Sequence, residues 1–332
     1  MKTKIVYVLV SNDGDYYAEQ TWCSLWSLKH FNEGVVAVLV IDNKTNDSLH
    51  SPNRIKMLDL VDEVIVAPVD TVLGNMERSR WMKTNLRNLV DGDFLFIDGD
   101  TLITDDLSEV DVFKDDIMMC YDADVPLSRN YTYENFVKFE RLIFKLPEPL
   151  PEEYYNSGVI YCKDNESTHR FYDEWHERWK MSKDKGYPYD QLSLYVTNVI
   201  NNGYIKPLYG AFNCQITVSL NYLVDAKIMH FYSASNTTFT PFKDKRTFLS
   251  IKEKGEIDET LQEKIINCKH NFDGPIIILN SVEMEYDATL YNGLGKTLFH
   301  KNRTLFNFYN SLAKFSFWIM GVRGKILGHE RK

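Results

Sequence analysis

The chain has 332 residues, of which 44 % are hydrophobic and 26 % charged, and this globular composition excludes disorder for the bulk of the chain. It contains no run of about 18 uncharged apolar residues, so we expect no conventional membrane span. The apolar run near the N-terminus is short and lacks a small-residue cleavage site, which favours a first strand over a signal peptide. The five cysteines are scattered without a C-x-x-C pair. They exclude a disulfide scaffold and a cysteine-rich zinc site, and fit a reducing cytoplasm.

The formal net charge of −9 is unevenly distributed along the chain. Residues 288–332 hold five Lys, three Arg and one Glu, so the rest of the chain carries −16. A body this acidic does not attract nucleic acid through general electrostatics. The sequence therefore predicts no nucleic-acid partner and marks the basic C-terminal segment as a separate feature.

Short apolar runs alternate with helical patterns over the first 120 residues. Strands are predicted at 5–10, 35–41, 64–66, 94–97 and 117–120, with helices at 19–30 and 75–89. This alternation is typical of an α/β protein with a mostly parallel central sheet flanked by helices. Further along, the patterns predict strands at 155–163, 216–220 and 227–231, helices at 166–180 and 187–201, and partly helical structure over 241–275.

Two carboxylates follow the predicted strand at 94–97 directly, in the turn Asp98-Gly99-Asp100. In parallel sheets, ligands bind beyond the carboxyl ends of the strands, and the turn at residues 11–14 lies at another such end. Hard divalent cations prefer carboxylate oxygens, and a cation with few protein ligands keeps positions open for phosphate oxygens. The glycine lets the backbone turn and leaves room for a ligand.

Three classes of function are compatible with this turn. In haloacid-dehalogenase-type phosphatases, the first Asp of such a turn is a nucleophile, which would be Asp98 here, but that motif usually continues with Gly-Thr and usually follows the first strand. In nucleotide-sugar glycosyltransferases, the two acids hold Mn²⁺ or Mg²⁺ on the diphosphate of the donor. A protein that binds nucleotide sugars without transferring them is the third class.

Further motifs favour the second class. The order of five segments resembles family 8 glycosyltransferases, the group of glycogenin and bacterial lipopolysaccharide glucosyl- and galactosyltransferases. The segments are residues 8–16, the Asp-Gly-Asp turn, the run 155–159, Asp190-Gln191 and His230-Phe231. The matches lie between residues 5 and 232. The resemblance implies a GT-A-type nucleotide-diphospho-sugar transferase fold, a UDP-sugar donor and a transfer that retains the anomeric configuration.

The resemblance also implies roles for individual residues. Those of the uridine pocket would be Leu9, Ser11, Asn12 and Tyr16, with Tyr7 and Tyr17 as alternative stacking residues. Those of the metal site would be Asp98, Asp100 and His230, with Gly99 beside them; a histidine suits Mn²⁺ better than Mg²⁺. Those near the donor sugar would be Lys83 or the run Arg78-Ser79-Arg80, Asp122 or Asp124, and Asn156, with Asp190 and Gln191 beside the anomeric carbon.

The sequence departs from the family pattern after His230. Family members often have a glycine and a lysine there, and the lysine contacts the diphosphate. Here neither is present; Pro241-Phe242 is a late remnant, and Lys243 or a later basic residue is a weak substitute. The residue that contacts the diphosphate is therefore left open.

The C-terminal segment 304–327 is aromatic and basic. It is either a terminal helix docked on the body or, because its apolar residues cover much of the helix circumference, a peripheral contact to an anionic membrane. We expect a GT-A-like catalytic domain over 1–275 and a helical extension over 276–332. The expected partner is a polysaccharide or lipid-linked saccharide acceptor, and the expected location is the cytoplasm, at the inner face of the membrane.

Overall fold

The computed structural model describes residues 1–231, 245–269, 298 and 301–326. The chain divides into two compact units, Met1–Lys269 and His270–Lys332. The predicted domain boundary between residues 275 and 276 lies outside the described residues and stays a prediction. The predictions made for Pro241, Phe242 and Lys243 lie outside them too.

The first unit is built on a seven-stranded sheet. Its strands are β1 (Lys4–Leu9), β2 (Ala37–Asp42), β3 (Glu63–Ala67), β4 (Phe94–Ile97), β6 (Ile117–Tyr121), β7 (Tyr155–Cys162) and β8 (Lys206–Pro207). They lie in the order β3-β2-β1-β4-β7-β6-β8, and only β7 runs antiparallel to its neighbours. Two further strands, β5 (Thr101–Ile103) and β9 (Ile228–His230), form a small antiparallel sheet. The predicted mostly parallel sheet is confirmed.

Helices flank the sheet. In the first unit they are α1 (Tyr17–Phe31), α2 (Asn43–Leu49), α3 (Asn75–Thr84), α4 (Tyr133–Ile143), α5 (Glu166–Asp184), α6 (Asp190–Ile200), α7 (Lys245–Lys254) and α8 (Glu259–Ile266). The second unit contains α9 (Arg303–Ile326). No helix among the described residues is long and apolar enough to cross a bilayer.

Continuous apolar runs form the centre of the core. Every residue of β2, β4 and β7 is buried, as expected for strands covered on both faces. The aromatic residues Phe171, Trp175 and Trp179 of α5 are buried as well, and Phe171 and Trp175 pack in the main core cluster beneath the sheet. All five cysteines are buried and free, in agreement with the absence of a disulfide scaffold.

Two local predictions differ from the structure. Residues 216–220 form turns rather than a strand, since the backbone N–H groups of Val218 and Ser219 both donate to the carbonyl of Gln215. The pattern at 75–89 is helical only to Thr84, after which a short 3₁₀ turn follows. At 216–220, a tertiary contact of Gln215 overrides a short apolar pattern.

Candidate functional site

The Asp-Gly-Asp turn lies at the carboxyl end of β4, beside the end of β1, to which β4 is parallel. The backbone N–H of Asp98 donates to the carbonyl of Gly158 on the other neighbour, β7, at 2.8 Å. A Cβ at Gly99 would lie 2.2 Å from the Oγ1 atom of Thr21 on α1. Only glycine therefore fits at this turn, because the helix packs directly on it.

Three side chains form a cluster with the chemistry of a cation site. The pairing of β5 with β9 sets His230 opposite Thr101, one residue after Asp100. Ligand atoms of Asp98, Asp100 and His230 lie within 4.8 Å of one another, and His230 Nε2 is 3.2 Å from Asp100 Oδ1. Two carboxylates and an imidazole are a donor set that suits Mn²⁺, so the residues present fit the predicted metal.

The histidine ring is held against the sheet by a glycine. A Cβ at Gly158 would lie 2.3 Å from His230 Cε1 and 2.8 Å from its Nδ1. The imidazole therefore lies over the bare backbone of β7, in the run 155–159 that the sequence had marked. This contact explains why a glycine stands there.

Burial of Asp98 at the end of β4 disfavours its ionised form. Burial raises the pKa of Asp98 above its ordinary value; Lys83 opposes this rise, and the nearby charge of Asp100 adds to it. A carboxylate in this setting gains from a bound cation, which favours the ionised form.

A second charged group lies next to the cluster. The Nζ of Lys83, a buried residue of α3, is 3.2 Å from both oxygens of Asp98 and 3.6 Å from Asp190 Oδ2. Arg80 Nε is 2.8 Å from Asp190 Oδ1, and Ser157 Oγ donates to Asp190 Oδ2 at 2.7 Å. Burial alone would raise the pKa of Asp190, but Lys83, Arg80 and Ser157 lower it to about 2. Asp190 is therefore ionised at neutral pH.

The alternative run Arg78-Ser79-Arg80 contributes through one member. Arg78 is buried and paired with Asp42 at the end of β2, away from Asp190. Arg80 makes the ion pair with Asp190 just described. Both Lys83 and Arg80 thus reach the site.

Asp122 is the centre of a polar network behind the cluster. Its Oδ1 accepts from Asn156 Nδ2 at 2.7 Å and from Gln191 Nε2 at 3.1 Å, while its Oδ2 accepts from Asn130 Nδ2 at 2.8 Å. Of the two alternatives, Asp122 rather than Asp124 makes these contacts with the predicted donor-sugar residues.

The turn after Asp122 has an unusual backbone. Ala123 and Asp124 both have positive φ, 54° and 55°, a conformation that costs L-residues free energy. The buried side chain of Gln215 secures it, accepting from the Ala123 N–H at 2.8 Å and donating to the Tyr121 carbonyl at 2.7 Å. These two hydrogen bonds hold the backbone on either side of Asp122 and so restrict the direction of its side chain.

The predicted uridine loop follows β1. Leu9 is buried; Ser11 Oγ donates to Asp15 Oδ1, and Asn12 Oδ1 accepts from the Gly14 N–H at 2.7 Å. The loop is fastened by Arg54, which pairs with buried Glu19 and donates to the carbonyl of Asn12 at 3.1 Å.

The three candidate stacking tyrosines differ in exposure. Tyr7 is buried within hydrogen-bond distance of Ser24 Oγ, at 3.0 Å, so it presents no face to a base. Tyr17 is 49 % exposed. The ring of Tyr16 is contacted from α7 by Phe248 and by Lys252, whose Nζ is 5.3 Å from the ring centroid. Lys252 is thus a basic residue beyond His230 that does reach the predicted uridine loop.

The structure brings the predicted residues to one edge of the sheet, but it adds several that the sequence analysis missed. These are Arg54, Asn130, Ser157, Asn213 and Gln215, all of which hold predicted site residues in place. Ser157 lies inside the marked run 155–159, so it could have been singled out. The others lie in segments without a recognisable motif, and only the folded chain brings them close.

Comparison with known proteins supports the fold. No protein-family model matches the chain, and no curated protein sequence matches it. The structure of the bifunctional glycosyltransferase WbbM is similar with a TM-score of 0.51 at 16 % identity; the match covers 79 % of this chain and 51 % of WbbM, so the chain spans about half its length. An active-site mutant of LgtC is similar with a TM-score of 0.50 at 13 % identity, over 79 % of this chain and 100 % of LgtC. The structure of mouse xyloside xylosyltransferase 1 is similar with a TM-score of 0.47 at 11 % identity. The match covers 70 % of this chain and 98 % of the xylosyltransferase. The chain therefore has the GT-A-type fold of glycosyltransferases such as WbbM and LgtC.

Proposed function

We propose that the chain is a cation-dependent glycosyltransferase that moves a hexose from a UDP-sugar to a saccharide acceptor with retention of configuration. The observation that carries the proposal is the convergence of Asp98, Asp100 and His230 beside the Lys83–Asp190 pair. These residues lie near the carboxyl ends of the parallel strands, in a chain that has the fold of glycosyltransferases. Membership of family 8 remains part of the proposal.

In this proposal Asp98, Asp100 and His230 hold Mn²⁺, or Mg²⁺ in its place. When bound, the cation neutralises the charge that builds up on the departing diphosphate. Lys83 adds a positive charge next to Asp98, and Gly99 lets α1 pack directly on the turn that carries the two acids. The loop residues Leu9, Ser11, Asn12 and Tyr16 bind the uridine, and an aromatic face there contributes about 1–3 kcal/mol by stacking.

Asp190, Gln191, Asn156 and Asp122 form the sugar side of the site. Glycosyl transfer passes through a state with positive charge at the anomeric carbon, which a nearby carboxylate stabilises. In this proposal that carboxylate is Asp190, which is ionised and acts either as a stabilising charge or as a covalent nucleophile. The amide of Gln191 assists by its dipole, and it cannot act as a base.

The acceptor in this proposal is a polysaccharide or a lipid-linked saccharide in the cytoplasm, reached at the membrane surface. Several large apolar residues of α9 are exposed, including Phe308 at 59 % and Trp318 at 63 %. Basic side chains near an anionic surface contribute about 1 kcal/mol each. We therefore propose that the C-terminal segment makes a peripheral membrane contact.

Removal of the chain after Gly295 is expected to abolish sedimentation with phosphatidylglycerol vesicles and to leave hydrolysis of the donor unchanged. Replacement of Phe308 and Trp318 by Ser in the full chain is expected to weaken sedimentation in the same direction. Neutral phosphatidylcholine vesicles are the control, because they offer no charge to the basic residues. Unchanged sedimentation of both variants would refute the membrane contact.

Product analysis tests the proposed function against its alternatives. With a UDP-sugar and Mn²⁺, a glycosyltransferase releases UDP and forms a glycoside, or free sugar when no acceptor is present. A phosphatase that uses Asp98 as nucleophile leaves the UDP-sugar intact, because it is not a phosphate monoester, and instead releases inorganic phosphate from a monoester such as p-nitrophenyl phosphate. A protein that only binds nucleotide sugars releases neither. Chromatography of the nucleotide products together with a phosphate assay distinguishes the three.

A further inference from the structure

Two buried asparagines connect the cation cluster to the donor-sugar acid. His230 Nδ1 is 2.9 Å from Asn213 Oδ1. Asn213 Nδ2 is 2.9 Å from Asn156 Oδ1, and Asn156 Nδ2 is 2.7 Å from Asp122 Oδ1. Asn213 ends a short 3₁₀ turn, Gly210–Asn213, and is fully buried.

The direction of every hydrogen bond in this chain of contacts follows from its fixed partners. The backbone N–H of Gly158 can only donate, and it donates to Asn156 Oδ1 at 2.9 Å. The carboxylate of Asp122, when ionised, can only accept, so Asn156 turns its NH₂ group toward it. Asn156 therefore presents its oxygen to Asn213, which must donate through Nδ2. The remaining Asn213 oxygen is an acceptor, and the proton on the histidine side must be at Nδ1.

The consequence for His230 is chemical. With a proton held at Nδ1, the ring atom that faces Asp100 Oδ1, 3.2 Å away, is Nε2, which carries a lone pair in this tautomer. Two lone pairs that face each other at this distance repel unless a proton or a cation lies between them. The arrangement therefore prepares Nε2 to bind a cation, whereas a free histidine in water favours the opposite tautomer, with its proton on Nε2.

We propose that Asn213 is a positioning residue that fixes His230 in the Nδ1–H tautomer, and that Asn156 and Asp122 orient Asn213 in turn. The proposal rests on the proposed function for its choice of cation, Mn²⁺. It also gives Asn156 a second role beside the proposed contact with the donor sugar. Asn156 binds both Asp122 and Asn213, and thereby helps to orient the group that holds His230. Groups that hold metal-ligating histidines in this way typically change metal affinity 10- to 100-fold when they are removed.

Two variants at position 213 separate positioning from packing. Asn213→Leu has a similar volume but makes no hydrogen bond, so it releases Nδ1. Asn213→Asp keeps an acceptor for the Nδ1 proton, but it loses the donor to Asn156 and adds a carboxylate charge beside His230. The matched control is Asn198→Leu. Asn198 of α6 is also buried, and its Oδ1 accepts from the Ile205 N–H at 2.8 Å, a contact that involves neither His230 nor Asn156.

The first measurement is ¹⁵N NMR of histidine-labelled protein without metal or nucleotide, at about pH 8.5, where an ordinary imidazole is neutral. The His230 signals are assigned from their loss in His230→Gln. We expect the proton on Nδ1 in the wild type, in Asn213→Asp and in Asn198→Leu, and a shift toward Nε2–H in Asn213→Leu. A wild-type His230 with its proton on Nε2 would overturn the proposal.

The second measurement is Mn²⁺ affinity by electron paramagnetic resonance. We expect about 10- to 100-fold weaker binding in Asn213→Leu and a smaller loss in Asn213→Asp and the control. Equal losses in both position-213 variants would show that the acceptor for the Nδ1 proton does not determine Mn²⁺ affinity, and would contradict the positioning role. If the wild type bound no Mn²⁺, the proposed function would fail, while the tautomer measurement would still test Asn213. The wild-type tautomer also remains measurable if Asn213→Leu does not fold.

Discussion

Replacement of Asp190 by asparagine is expected to lower the rate of sugar transfer by about 10²- to 10³-fold, the loss typical of removing one stabilising charge or dipole from a transition state. The side chain keeps its size but loses the charge that we propose stabilises the anomeric carbon. In addition, Arg80 and Lys83 lose their shared partner in a buried setting. Removing one partner of a buried pair costs about 3–5 kcal/mol, and we expect the lower end because Asp98 still faces Lys83.

The pH dependence of stability gives a second signature of Asp190. Its pKa is lowered from the ordinary 3.8 to about 2 in the folded protein, which corresponds to roughly 2 kcal/mol of stability. Because the folded pKa is the lower one, this contribution is complete above about pH 4 and is lost as the pH falls toward 2. Denaturant unfolding at a series of pH values should show the difference between wild type and Asp190→Asn shrinking over that interval.

Asp164→Asn is the matched control for Asp190→Asn. Asp164 also pairs with Arg87, contacts His169 Nε2 and accepts from the Gly92 N–H, but it lies at the opposite end of β4 from Asp98. We expect it to lower stability without lowering the rate of transfer. Near-normal transfer by folded Asp190→Asn would remove Asp190 from both the stabilising and the nucleophilic role.

The second large effect is expected for Asp98→Asn. The amide replaces the carboxylate at the centre of the cation cluster, so Mn²⁺ binding and the Mn²⁺-dependent rate are expected to fall together. A cation stabilises the charge of a leaving diphosphate by several kcal/mol, and a loss of about 4 kcal/mol corresponds to about 10³-fold in rate. The measurement is the initial rate of UDP release as a function of Mn²⁺ concentration.

The control for Asp98→Asn is Asp105→Asn, which removes the same charge from an exposed carboxylate outside the site. We expect its Mn²⁺ dependence to be that of the wild type. An unchanged Mn²⁺ dependence in Asp98→Asn would show that the cation, if one is used, is bound elsewhere.

The site residues that follow strands were predictable from the sequence, because an apolar run that stops at polar residues marks the end of a strand. The buried run Phe94–Ile97 ends directly at Asp98, and the topology of a parallel sheet brings such ends to one edge. The same reasoning located the loop after β1. The fold class followed from the alternation of apolar runs and helical patterns, and the comparisons confirm it.

The positioning groups were not predictable because their role depends on distant contacts. Asn213 has no motif around it, and its partners lie 17 and 57 residues away in the chain. Arg54 is equally inconspicuous, yet it fastens the loop after β1 by donating to a backbone carbonyl 42 residues away. Such contacts leave no periodic pattern in the sequence, since they depend on the completed fold.

The incorrect strand at 216–220 has a related cause. Its residues are apolar at alternate positions, which favours a strand, but Gln215 is buried and bound to the turn after β6. This anchoring turns the chain at 215–219, where the N–H groups of Val218 and Ser219 donate to the Gln215 carbonyl. Local propensity was therefore overridden by a tertiary contact.

The central claim is that UDP binds through a cation held by Asp98, Asp100 and His230. The most direct measurement is the thermal stability of the protein with UDP, with and without Mn²⁺. Binding to the native state adds about 2.7 kcal/mol at a hundredfold excess over Kd, so the effect is readily measured. We predict that UDP stabilises the wild type only when Mn²⁺ is present, and that the stabilisation is lost in Asp98→Asn. No stabilisation by UDP with either Mn²⁺ or Mg²⁺, or stabilisation that needs no cation, would contradict the account.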